Sequence, residues 1–176
     1  MNTREYRITY VREGDGVIGF AHNLVGYADA NFTGHWDDRK LTTGWVFTYN
    51  GSPMSQISNK KQGIFSRLTM ESEVMAGSFA TMEGIWLIRL GKDFQHNFTP
   101  IPIFTDNQFS ITFSNDSISS SRTKHIDVHY MRNQITTGNI KLHYIKTFEN
   151  PANILMKPLS PCKHLHILEI LGVCWA

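Results

Sequence analysis

The sequence predicts an α/β domain built on a mixed sheet, and three observations predict it. A hairpin of aromatic and β-branched strands stands early in the chain, at 44–58. One long helical stretch follows, from about Met70 to Leu90. Further apolar runs then alternate with helix-like segments as far as residue 159. Strands that become separated by helices need crossovers, and a helix of that length supplies one between two parallel neighbours.

Size and composition agree. The chain has 176 residues, 41% of them hydrophobic and 18% charged, which suits one globular domain with a real core. No window approaches the ~18 uninterrupted apolar residues of a membrane span. The start, Met1 to Glu5, is polar and lacks the apolar centre of a secretion signal, so an intracellular location, cytoplasmic or nuclear, is expected, with no membrane partner. Two cysteines, Cys162 and Cys174, are too few for a disulfide framework. The net charge of +2 is too small to indicate a nucleic-acid partner by itself.

The elements follow in order. Residues 1–20 hold a short alternating run, Tyr6 to Val11, expected as an N-terminal remnant or edge strand. The main domain is expected over 21–159, with its first core strand from about Leu24 to Phe32. A polar loop carrying Asp37, Asp38, Arg39 and Lys40 leads to the strand Gly44 to Tyr49. Asn50-Gly51 has hairpin-turn chemistry, and Met54 to Ser58 returns as the third strand. In the long helix, Met75, Phe79, Met82, Trp86 and Leu90 recur at intervals of three and four and are expected to face the core. Thr69 is the expected N-cap and Gly91 the expected stop. A fourth strand spans Ile101 to Thr105, and helices are expected over Asn107–Phe113 and Arg122–Gln134. Asn139 to Lys146 alternates as the fifth strand, and Asn150-Pro151 opens a short last helix. Residues 160–176 form a C-terminal tail with one helix-like run, His164 to Leu171.

Three acids end or begin such elements: Asp29, Glu71 and Asp106. If the first and fourth strands are parallel neighbours, Asp29 and Asp106 meet at their carboxyl ends, the crevice where open α/β sheets bind ligands. Glu71, in the first turn of the crossover helix, is within reach of the same place, whereas Glu73 is expected on the solvent side. Hard divalent cations take several carboxylate oxygens from different segments, so the trio is a candidate metal site. An acid at a strand end is more often a turn or cap residue. His125 and His129, spaced i, i+4, suit zinc on a helix but have no third ligand nearby, and the group Cys162, His164, His166 and Cys174 fits no finger pattern.

Five motifs in sequence order resemble one family. They are Gly26-Tyr27-Ala28-Asp29-Ala30, then Asp37-Asp38-Arg39-Lys40 with Gly44-Trp45-Val46-Phe47, Asp106-Asn107-Gln108, Ser121 to Asp127, and Leu155-Met156-Lys157-Pro158-Leu159. Together they resemble the ribonuclease H domain of copia-type retrotransposon Pol polyproteins, over roughly Tyr6 to Val173. The resemblance implies a ribonuclease H-like fold, a five-stranded mixed sheet with helices on both faces. It implies an endonuclease that cuts the RNA strand of an RNA–DNA hybrid by two-metal-ion hydrolysis, with Mg²⁺ or alternatively Mn²⁺. Asp29, Glu71 and Asp106 would be the metal ligands, and Asn153 stands where the family has a fourth catalytic aspartate. The usual pattern is also departed from at Leu41, Ile57, Val74 and Met156. Lys60, Lys61, Arg122, Lys124 and His125 would contact the nucleic acid. The implied partners are the hybrid and the reverse transcriptase domain of the same polyprotein. A catalytically impaired, hybrid-binding remnant is the alternative, and an integrase-type transferase on the same architecture is a third.

Overall fold

The computed structural model describes residues 6–10, 24–32, 41–61, 69–107 and 126–175. Five strands form the main sheet: β2 (Leu24–Phe32), β3 (Leu41–Tyr49), β4 (Ser52–Lys61), β5 (Ile101–Thr105) and β6 (Ile140–Tyr144), in the order β4-β3-β2-β5-β6. The first three pair antiparallel, and β5 and β6 are parallel to β2. The expected mixed sheet is therefore present, and the reason is local. Asn50 and Gly51 both adopt positive φ, 49° and 79°, the primed turn whose twist suits a two-residue hairpin. The β2 to β5 connection contains helix α1 (Thr69–Asp93), and the β5 to β6 connection contains helix α2 (Ile126–Thr136). The expected helix over Asn107–Phe113 and the start of the one from Arg122 lie outside the described residues.

Both helices cover one face of the sheet. Leu24, Ala28, Phe47, Ile101, Ile103 and Ile140 pack there against Ala80, Ile85, Leu87 and Ile88 of α1. Val128 and Met131 of α2 join Val74 in an adjoining cluster. The opposite face takes the C-terminal segment: a 3₁₀ turn (Pro151–Leu155) and helix α3 (Pro161–Ile170) bury Ala152 and Ile167 against Val46. Gly44 makes the close approach possible, since a Cβ there would overlap Met156 and sit 3.1 Å from the Ile57 carbonyl.

The phase of α1 corrects the sequence reading. Met82 and Trp86, expected in the core, are 38% and 53% exposed. Small residues take much of the buried side instead, beside Ile85, Leu87 and Ile88: Ala76, Ser78, Ala80 and Thr81 are fully covered, and Gly84 lies between Ile140 and Phe47. Small residues let the helix axis approach the sheet there, and Met82 and Trp86 are left outside. Of the predicted face, Met75 is buried, Phe79 packs beside it and near Trp45, and Leu90 packs against the main core. The ends differ too. Thr69 is the first residue of the helix rather than its cap. The helix runs through Gly91 to Asp93 and stops where Gln95 turns to φ 62°, with the His96 N–H bonding the Gly91 carbonyl at 2.8 Å and the Gln95 N–H bonding that of Lys92 at 3.0 Å. Gly91 instead makes room for the Phe98 ring.

The two chain ends are joined. Strand β1 (Tyr6–Ile8) pairs antiparallel with β7 (Val173–Trp175), apart from the main sheet. This ribbon is tied to the β3–β4 hairpin: the Ser52 hydroxyl donates to the Thr9 carbonyl, and the Tyr10 hydroxyl donates to the Pro53 carbonyl at 3.1 Å. No helix among the described residues is long and apolar enough to cross a membrane.

Candidate functional site

The parallel pairing of β2 with β5 sets the site. Gly26 lies opposite Ile103 and Tyr27 opposite Phe104, so the same register carried two residues on puts Asp29 beside Asp106 at the carboxyl ends. The third member comes from the first two turns of α1, and it is Glu73. One carboxylate oxygen from each of Asp29, Glu73 and Asp106 lies within 4.8 Å of the other two. Glu73 is only 9% exposed, against the expected solvent-facing position. It shares the inward stripe of Ala76 and Ala80, and two residues along a helix is a turn of about 200°, so helix phase decides which acid enters. The side chain of Glu71 lies outside the described residues.

The cluster is electrostatically unfavourable as it stands. Burial and the neighbouring Asp106 raise the Asp29 carboxyl from 3.8 to about 6. Burial, then Asp29 and Asp106, raise Glu73 from 4.5 to about 8. The Ala30 N–H and the Lys157 ammonium pull both the other way, and Lys163 adds its charge at Asp29. Asp29 Oδ2 and Glu73 Oε2 are buried and accept no hydrogen bond. Such orphans are rare and costly. A hard dication would satisfy them, and the donor set, three carboxylates from three elements, fits one. Among the described residues no other group of three or more His, Cys, Asp or Glu side chains converges in this way. Cys162 and Cys174 are free and exposed, and His166 stacks on Phe148.

Asn153 is fully buried in the 3₁₀ turn, and its amide is spent on the backbone. Nδ2 donates to the Thr147 carbonyl at 2.6 Å and to the Asn150 carbonyl at 3.1 Å, while Oδ1 has no partner. Asn150 caps the turn through the Ala152 N–H at 3.1 Å and clamps it to β2 by donating to the Ala28 carbonyl at 3.0 Å. This turn therefore hangs from the residue just before Asp29. Lys60 and Lys61 lie at the end of β4, paired with Thr42 and Leu41 of β3, while Arg122, Lys124 and His125 fall outside the described residues.

Comparison with known proteins adds the ancestry. No protein-family profile matches the chain. It is 35% identical over 152 residues to the retrovirus-related Pol polyprotein from transposon TNT 1-94 of Nicotiana tabacum, a match that covers 85% of this chain and 11% of the polyprotein. The chain thus spans about a tenth of the length of that relative. Its fold is similar to that of RNase H1 from the archaeon Halobacterium salinarum, at TM-score 0.52 and 15% identity, covering 76% of this chain and 93% of that one. It is similar also to LC11-RNase H1, solved in complex with an RNA/DNA hybrid, at TM-score 0.53 and 14% identity, covering 76% and 93%. At those identities the likeness shows the fold alone, and the polyprotein match supplies the lineage. The chain is a ribonuclease H-like domain homologous to a segment of retrotransposon Pol polyproteins.

Proposed function

We propose that the domain is a ribonuclease H-type endonuclease that hydrolyses the RNA strand of RNA–DNA hybrids. The observation that carries this reading is the convergence of Asp29, Glu73 and Asp106, with buried unpaired oxygens, at the carboxyl ends of two parallel strands. Two Mg²⁺ ions, or Mn²⁺ in their place, supply activation of the attacking water and stabilisation of the leaving oxygen at such a site. The chain's own part is to hold concentrated negative charge where a phosphodiester can approach. Asp29, 4% exposed, would hold the metal from the end of β2's pairing with β5. Asp106 and Glu73 complete the set, with Glu73 taking the place expected for Glu71. Lys60, Lys61, Arg122, Lys124 and His125 are proposed to contact the hybrid's phosphates. The reverse transcriptase domain of a polyprotein is the proposed neighbour, since the matched relatives are Pol polyproteins.

The test is a labelled RNA–DNA hybrid incubated with the protein and Mg²⁺ or Mn²⁺. The expected result is metal-dependent cutting of the RNA strand that is lost in Asp29→Asn and in Glu73→Gln. Intact RNA under every metal condition sinks the nuclease reading. One observation favours a second reading, a hybrid-binding domain with impaired catalysis. Asn153 offers a neutral amide where the resembled family has an acid, and that amide donates to two carbonyls. Hybrid binding without cleavage would select it.

A further inference from the structure

Phe148 is a large aromatic residue left 55% exposed, yet its placement is over-determined. The His166 ring stacks on it at 5.0 Å between centroids and 21° between planes. The Lys163 ammonium lies 5.7 Å from the same ring centroid. Both partners come from α3 at i and i+3, so one helix face supports the ring while more than half of it stays open to solvent. The backbone that carries Phe148 is equally constrained. Asn153 holds the adjacent Thr147 carbonyl, and Asn150, two residues on, is bonded to Ala28, next to Asp29. The lysine also belongs to the site's surroundings, since the charge of Lys163 is felt at Asp29. A half-exposed aromatic ring flanked by a cation thus stands on the segment that Asn150 ties to Ala28, the neighbour of Asp29, and the nuclease chemistry itself makes no use of it.

We propose that Phe148, backed by His166 and Lys163, seats the sugar–phosphate backbone of the RNA strand beside the carboxylate cluster. This rests on the nuclease reading above and names a positioning surface for it. Bases inside a hybrid are stacked on one another, so an aromatic face at the duplex surface meets ribose rather than base. The wide, shallow minor groove of an A-like duplex presents that ribose with its 2′-hydroxyl. Lys163, with its charge beside the ring, supplies the phosphate contact, which carries affinity but no sequence preference. A purely electrostatic influence on the buried Asp29 is the plainer role for Lys163, and it predicts no effect of Phe148 on substrate.

The experiment measures hybrid binding by fluorescence anisotropy and cleavage kinetics for wild type, Phe148→Ala, Phe148→Trp and Lys163→Gln. Phe148→Ala is expected to raise Kd and KM roughly five- to ten-fold, the loss of one aromatic contact, while kcat changes less than about two-fold. Phe148→Trp should restore affinity. Lys163→Gln should reduce the slope of log affinity against log salt by roughly 0.7–0.9, as one lost phosphate contact. The Tm of each variant, with and without Mg²⁺, serves as the folding and metal-site control. Wild-type binding with Phe148→Ala unchanged overturns this proposal alone. A fall in kcat with KM unchanged does the same. A wild-type protein that neither binds nor cuts hybrid overturns both this proposal and the nuclease reading.

Discussion

Removing one charge from the carboxylate cluster is expected to stabilise the metal-free protein while destroying its response to metal. The perturbation is Glu73→Gln, nearly isosteric. Glu73 is raised from 4.5 to about 8 by burial and by the charges of Asp29 and Asp106, and Asp29 from 3.8 to about 6. The folded chain therefore keeps protons that the unfolded chain has already released. Where the native state binds more protons, stability falls as pH rises, here across the window from about 4 to about 8. At about 1.4 kcal/mol per pH unit, the rise at Glu73 from 4.5 to about 8 corresponds to on the order of 5 kcal/mol withheld from the metal-free fold above pH 8. Part of that repulsion relaxes by side-chain movement, so about 2–3 kcal/mol is expected from the substitution, or roughly 5–10 °C in Tm for a chain of this size. At pH 4 the folded chain holds Glu73 and Asp29 protonated, so Glu73 carries no charge for the substitution to remove and the difference should vanish. Metal inverts the comparison: millimolar Mg²⁺ should raise Tm for wild type at pH 8 and leave Glu73→Gln nearly unmoved. The assay is thermal unfolding of both proteins across pH 4–8, in chelator and in Mg²⁺. A Glu73→Gln protein equally destabilised at every pH, or one that gains as much from Mg²⁺ as wild type, would refute the reasoning.

Further outcomes follow from the packing. Asn153→Asp is nearly isosteric and, from the sequence, looks harmless to the fold. Because its Nδ2 donates to the Thr147 and Asn150 carbonyls, the substitution sets a carboxylate against two carbonyl oxygens and should cost about 1–3 kcal/mol in urea unfolding. A neutral or stabilising result would mean that the turn rearranges. Trp86→Ala should change stability by no more than about 0.5 kcal/mol, because the side chain is half exposed, while Ala80→Leu should cost about 1–3 kcal/mol by overpacking; the reverse order of effects would show that α1 is turned the other way. Gly44→Ala should cost about 1–3 kcal/mol, because its Cβ would overlap Met156; far-ultraviolet circular dichroism and Tm together check that the fold survives.

Much of this domain is legible in the sequence because it is decided locally. Asn50-Gly51 turns the hairpin wherever the rest of the chain lies, and Asn150-Pro151 starts the 3₁₀ turn by capping it. The apolar runs ending in Asp29 and Asp106 become strands, and the helix between them makes those strands parallel neighbours, so the meeting of the two acids could be argued in advance. Three things needed the folded chain. The phase of α1 was misread at Met82 and Trp86, which the apolar spacing puts inside, while the sheet takes Ala76, Ala80 and Gly84 together with Ile85, Leu87 and Ile88. That phase brings Glu73, expected on the solvent side, to Asp29 and Asp106, which spacing alone does not reveal. The ends of the chain, more than 160 residues apart, pair as β1 and β7, and a three-residue ribbon carries no local signal of its partner. Periodicity reports which side chains share a face, and only packing against the sheet decides which face is inside.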